Sequence, residues 1–222
     1  LALEIEWLGR VPYGAALALQ ERRLEERATG RRGDALLLLE HPPVVTLGRS
    51  ARDENLLADP ASLAARGIEV HRIARGGDVT YHAPGQLVGY LIAGLDRGSG
   101  PDLPGMLRRI EDALISASEG LGVPARAVPG WTGVFVDRER SPRTDGPERK
   151  LASIGIGARR WISYHGFALN VDLDLAGFGD IVPCGLHEVE MTSLEREGGV
   201  SGPNAAAEAR DAVERAFRAR FG

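Results

Sequence analysis

Helical and strand-like spacings of apolar residues follow one another along the chain in runs, not in strict alternation. From Pro12 through Arg27 the spacing predicts a helix, with Leu17 and Leu24 on one face and Pro12 suited to the first turn. Ala35 to Leu39 is an unbroken apolar run that reads as a buried strand, ended by His41-Pro42-Pro43. Val44 to Leu47 is a second short strand, and residues 51–67 read as a helical or irregular excursion closed by Gly67. Strands are predicted over Val70–Ala74 and Leu87–Ile92, on either side of the Gly-rich stretch from Arg75 to Gln86. Leu107, Ile110, Leu114 and Ile115 keep helical spacing between Pro104 and Glu119, with Gly120 and Gly122 as stop signals. Val134–Val136, Leu151–Ala158, Trp161–Tyr164 and Phe167–Val171 read as successive strands. Polar Asp137–Arg149 reads as a flexible hairpin loop between the first two, and Asn204 as the cap of a final helix running to about Arg220.

Helices mixed with short strands in runs predict an α+β fold with a mixed sheet, expected as a single domain over residues 1–222. The hydrophobic fraction of 43% and charged fraction of 26% are those of a globular chain. The longest apolar run is far below the roughly 20 residues of a membrane helix. No secretory signal is read either, so the expected setting is cytoplasmic, with no membrane partner. A net charge of −4 supplies no basic field, which counts against nucleic acid as the main partner. With one cysteine, and with His41, His71, His82, His165 and His187 in no ligand spacing, no metal is expected.

Composition changes the picture at one point. Of the 27 basic residues, 26 are arginine and one is lysine, Lys150, where ordinary usage predicts about a dozen lysines. Arginine serves a surface or an ion pair but does not give up its proton; a desolvated lysine can.

Three segments carry candidate chemistry. In the first, Gly76-Gly77 allows a sharp turn and close approach of a ligand to the backbone. Arg75 can meet an anion there, and Thr80 and His82 can bond a polar group. The stretch matches neither phosphate-cradling GxxxxGK[ST] nor GxGxxG. In the second, Lys150 stands where the polar loop meets a strand, beside the small residues of Ala152-Ser153-Ile154-Gly155, with His165-Gly166 across from them. The third is Pro183-Cys184-Gly185. A lone cysteine is most often an inert small hydrophobe, but this one sits in a turn, where reactive side chains are presented. Its attack requires a thiolate, and a neighbouring lysine amine could take the proton and return it. Spacing alone leaves that pairing open.

Taken in order, these segments resemble the lipoyl(octanoyl) transferase family. The matching residues are His41-Pro42-Pro43-Val44, RGGDVTYHAPGQ (75–86), KLASIG (150–155), HGFALN (165–170), PCG (183–185) and MTSL (191–194). The resemblance implies the fold of the biotin/lipoate protein ligase catalytic domain, a mixed sheet flanked by helices. It implies transfer of an octanoyl (or lipoyl) group from acyl carrier protein to a lysine of a lipoyl domain. The acceptors would be the lipoyl domains of 2-oxoacid dehydrogenases and the glycine cleavage H protein. The attacking thiol would be Cys184 and the acid/base amine Lys150. Substrate would lie against Arg75, Gly76, Gly77, Asp78, Val79, Thr80, Tyr81 and His82, against Ser153, Ile154 and Gly155, and against His165, Gly166, Phe167 and Ala168. No ATP, metal or other cofactor is implied, because thioester exchange is nearly isoenergetic. The loop Asp137–Arg149 is longer than the family pattern requires. Backbone N–H groups near Gly76-Gly77 or Cys184-Gly185 are both candidates for an oxyanion site. Two other readings compete: an ATP-dependent ligase on the same fold, and a binding module without chemistry. The arginine doublets 22–23, 31–32, 108–109 and 159–160 are candidate docking points for an acidic carrier protein.

Overall fold

The computed structural model describes residues 2–95, 100–186 and 188–222, so His187 lies outside the described residues. Its elements in chain order are β1 (Glu4–Arg10), α1 (Tyr13–Ala28), β2 (Ala35–Glu40), β3 (Val44–Leu47), α2 (Pro60–Ala65), β4 (Glu69–Arg72), β5 (Val79–His82) and β6 (Gln86–Ile92). Then come α3 (Leu103–Gly120), β7 (Ala125–Arg126), β8 (Val134–Val136), β9 (Glu148–Arg159), β10 (Ile162–Asn170), β11 (Val189–Met191) and α4 (Ala205–Phe221). The main sheet runs β1-β2-β6-β10-β9-β8-β7, with β11 also on β9, and a smaller sheet runs β4-β3-β5. β1 is parallel to β2 and β11 to β9, while the other neighbours in the main sheet are antiparallel. The expected α+β fold with a mixed sheet is therefore the one observed.

The apolar run in β2 is explained by burial on both faces. Leu36 and Leu38 join the large core made with α3 and α4, while Leu37 and Leu39 pack with Ala16 of α1 on the opposite face. Alternate residues of a strand point to opposite sides, so a strand covered twice must be apolar at every position. The small sheet has a core of its own, in which Val45, Val79 and Tyr81 meet Leu173 and Phe178. Asp59 caps α2 by accepting the N–H groups of Ala61 and Ser62.

Several expectations are corrected. The two strands predicted at 161–164 and 167–171 are one, β10, and His165 inside it has a left-handed φ of 58°. The irregular backbone there resembled a break in sequence, but pairing to both β6 and β9 carries the strand through it. β9 starts at Glu148, so the loop before it ends two residues earlier than predicted. That loop is also tied down, Arg138 and Arg149 donating to the carbonyls of Thr144 and Arg143. Asn204 precedes α4 but makes no side-chain cap. Strand β5 lies within the segment read as a loop, because its alternation is hidden by polar residues that turn out to be buried. Strand β1 was not predicted, and β7 and β11 are too short to show a period. Among the described residues no helix is long and apolar enough to cross a membrane.

Candidate active site

Lys150 sits where β9 changes partner, with β10 reaching Ala152 and β11 pairing Met191 with Lys150 itself. Its side chain is 1% exposed. The ammonium donates to the carbonyl of Thr132 at 3.0 Å and to Cys184 Sγ at 3.3 Å, and lies over the ring of Phe135. Gly133 makes this slot possible. It has φ 131°, and a Cβ there would come within 2.7 Å of Lys150 Cε and 2.5 Å of the Ala152 carbonyl. Its N–H is donated to Glu111 Oε1 at 3.0 Å, which fixes the turn that carries the Thr132 carbonyl.

Cys184 reaches this point from a short 3-10 turn, in which its own φ is 57° and ψ 16°. A left-handed non-glycine residue is uncommon and strained, and here it aims the thiol at the amine. The turn is held from behind. Asn55 accepts the Val182 N–H at 2.8 Å through its carbonyl and donates at 2.5 Å to Asp78 Oδ2, and Asp78 packs beside Gly185. Ser153 Oγ lies 3.8 Å from the sulfur. At these distances the amine can accept the thiol proton and later return it.

Two cavities meet at the sulfur. The outer one, open to solvent, has Trp131, Thr132, Arg52 and Glu54 in its wall along with Lys150 and Cys184. The inner one is walled by Val88, Ile154, Phe167 and Ala168, with Tyr13, Tyr90, His82 and His165 also facing it. Arg75, Gly77, Asp78, Thr80, Ser153, Gly155 and Gly166 complete that lining. Gly155 must be glycine, since a Cβ would fall 2.7 Å from the Gly76 carbonyl. Among the residues predicted for substrate contact, Gly76, Val79 and Tyr81 do not line the cavity. Val79 and Tyr81 alternate to the other face of β5 and fill the small core, and Gly76 donates its N–H to the Ile156 carbonyl at 3.0 Å. The Gly185 N–H is likewise donated to the Val182 carbonyl, so of the candidate oxyanion amides those of Gly76 and Gly185 are engaged elsewhere.

Arg75 is buried and has no carboxylate partner among the described ion pairs; it donates to the Thr46 carbonyl, to Thr46 Oγ1 and to the Gly76 carbonyl. Burial disfavours its charge, and Cys184 nearby opposes that. A chain of hydrogen bonds continues from it. Because the Gln86 carbonyl oxygen accepts from His82 Nδ1 at 2.7 Å, Nε2 of that ring is left to accept from Thr46 at 3.4 Å. His41 donates Nδ1–H to the Val11 carbonyl at 2.6 Å and accepts from the Tyr90 hydroxyl at 2.7 Å. Burial pushes the pKa of His41 down to about 4 and those of His82 and His165 to about 3, leaving all three rings neutral. Burial also raises the hydroxyl pKa values of Tyr13 and Tyr90.

Sequence reasoning missed Tyr13, Val88 and Tyr90 in the inner wall and Thr132 and Gly133 around the lysine. Tyr13 and Tyr90 sit in ordinary helix and strand patterns, and only the hydroxyl in an apolar strand hinted at Tyr90. None of the four arginine doublets lines these two cavities. Arg23 is buried against Glu6, and Arg32 and Arg160 pair with Glu4 and Glu25. Among the described residues no three His, Cys, Asp or Glu side chains gather as metal ligands.

A family model described as the lipoyl protein ligase A/B catalytic domain matches residues 12–218. An octanoyltransferase of Syntrophotalea carbinolica is 50% identical over 194 residues, 87% of this chain and 83% of the relative. An octanoyltransferase of Myxococcus xanthus is 45% identical over 210 residues, covering 95% of this chain, which spans 57% of that longer relative. Among solved structures, the bi-partite lipoate protein ligase of Thermoplasma acidophilum superposes with a TM-score of 0.74 at 19% identity, covering 99% of this chain and 84% of that one. A biotin protein ligase of Leishmania major gives 0.51 at 14% identity, over 97% and 73% of the two chains. At those identities the structural likeness concerns the fold alone.

Proposed function

The chain belongs to the lipoyl protein ligase A/B catalytic domain family, and on that premise we propose that it carries an octanoyl group on Cys184 while Lys150 moves the proton. Octanoyl transfer in protein lipoylation, an acyltransferase activity, is the function its kinship gives it. The observation that carries the mechanism is the 3.3 Å separation of Lys150 Nζ and Cys184 Sγ at the junction of an open mouth and an apolar cavity. The thiolate attacks the carrier's thioester, the carrier thiol leaves with the proton held by Lys150, and the acyl chain lies between Val88, Ile154 and Phe167. An acceptor lysine then attacks the new thioester and releases the cysteine, and Lys150 takes the proton that the amine sheds. The product amide is lower in energy than either thioester, so the sequence runs forward without ATP or metal. Acyl carrier protein as donor, lipoyl domains as acceptors and a cytoplasmic setting follow from the same reading, as does a single catalytic domain.

The test is incubation with octanoyl-carrier protein in the absence of ATP, read by intact mass. One octanoyl adduct is expected on the wild type and none on Cys184→Ala. The ligase reading draws on the solved lipoate-protein ligase A bound with ATP, which shares the fold at a TM-score of 0.74. Formation of an acyl-adenylate that survives Cys184→Ala would establish it instead.

A further inference from the structure

We propose that a second chamber lies behind the inner cavity, closed off by the ring of His165, and that it takes the distal methylenes of acyl chains longer than octanoyl, so that His165 sets the upper limit of chain length. This rests on the reading above in one respect, that the inner cavity holds the acyl chain.

The chamber is lined by Leu17, Gln20 and Leu24 of α1, by Ile73, by Tyr164 and again by His165, with the exposed Glu21, Arg72 and Arg159 at its solvent side. Tyr13, in the wall of the inner cavity, and Leu17, Gln20 and Leu24 stand at i, i+4, i+7 and i+11 on α1. One face of that helix therefore runs beneath both spaces. His165 is the wall between them. Its ring lies 6.2 Å from that of Tyr90 and 4.7 Å from that of Tyr164, centroid to centroid. Tyr90 lines the inner cavity and Tyr164 the chamber.

The residue type at this position is not explained by packing. Neither ring nitrogen of His165 reaches a partner among the described residues, although the residue is 2% exposed. Gln20 Nε2, in a side chain 1% exposed, is also unpartnered. Unsatisfied buried polar atoms destabilise a core that an apolar residue could fill instead. The backbone is fixed by a left-handed φ of 58° and by the His165 N–H donated to Gln20 Oε1 at 2.9 Å. Burial, with the charges of Arg75 and Arg49, keeps the ring neutral, so an alkyl chain reaching it meets a surface rather than a charge. Each methylene that finds an apolar wall improves binding about fourfold. A partition at the end of the octanoyl chain denies that gain to the next carbons.

The experiment compares loading of Cys184 from octanoyl-, decanoyl- and dodecanoyl-carrier protein by time-resolved intact mass. The proteins are wild type, His165→Gly, His165→Asn, and His165→Gly combined with Leu17→Trp. Glycine suits the left-handed backbone and removes the wall; asparagine tolerates that backbone and keeps part of it. His165→Ala is run in parallel, so that a glycine variant that fails to fold does not end the test. The dodecanoyl-to-octanoyl rate ratio is expected to rise about tenfold or more in His165→Gly, less in His165→Asn, and to fall back when Leu17→Trp fills the chamber. A folded glycine or alanine variant that loads octanoyl with the wild-type ratio overturns the proposal, as does a raised ratio that Leu17→Trp leaves untouched. A wild type that loads no chain at all overturns the acyl-cavity reading and this inference together, and is thereby distinguishable from failure of the partition alone.

Discussion

Two buried cations stand next to each other on β9, and they are treated in opposite ways. Arg149 is 0% exposed and all three nitrogens of its guanidinium donate: Glu197 is held through two bonds at 2.9 and 3.0 Å, Ser141 Oγ at 2.7 Å, and the Arg143 carbonyl at 2.9 Å. Lys150 is equally buried but faces the other side of the strand, where no carboxylate among the described ion pairs meets it. Its ammonium has three donors and two partners, a carbonyl and a thiol. Burying a charge is expensive, and a structural cation recovers the cost through an opposite charge together with hydrogen bonds. Arg149 does so and closes the sheet against the loop before it. Lys150 instead lines the outer cavity beside Cys184, as the proposed proton carrier would.

The sharpest way to break this contrast is Lys150→Arg. The guanidinium keeps the charge but cannot act as a base, so turnover should fall by up to about 10⁴-fold in a protein that still melts cooperatively. Single-turnover loading of octanoyl checks it, and substantial activity would remove Lys150 from the mechanism. Arg149→Met should do the reverse. With the largely buried Glu197 left without its cation and keeping only the bond from Thr192 Oγ1, stability is expected to fall by about 3 kcal/mol, and replacing Glu197 by leucine as well should recover part of that loss. Urea titrations of both variants decide it, and loading per folded molecule should change far less than in Lys150→Arg.

A further prediction concerns the acid sensitivity of the three buried histidines. The pKa values of His41, His82 and His165 are lowered to about 4, 3 and 3 in the folded chain, against about 6.5 unfolded. The unfolded chain therefore binds more protons below about pH 6.5, and folding stability must decline as pH falls from there toward the folded values. Each ring contributes up to about 1.4 kcal/mol per pH unit. Between about pH 6.5 and 5 carboxylates add little, so the slope in that window belongs to the histidines. A flat stability curve across it would mean that these rings are not buried and neutral.

Much of this protein is legible in its sequence. The arginine bias isolates one lysine, the Pro-Cys-Gly turn isolates one thiol, and the apolar runs in β2, β3, β6 and β8 mark strands whose bounds the structure keeps or shifts by a residue. Those signals are local, carried by residue type and by period. Tyr13 and Gly133 were invisible, and Tyr90 nearly so, because each obeys the rules of its own segment, and its importance comes from a neighbour far along the chain. What the sequence determined was which side chains could do chemistry and which backbone positions had to turn. Tertiary structure alone decided that Lys150 and Cys184 share a hydrogen bond, that Arg149 and Lys150 face opposite partners, and that His165 lies between two cavities. Such facts depend on strand register and on which elements pack across a sheet, and neither is encoded within a single window of sequence.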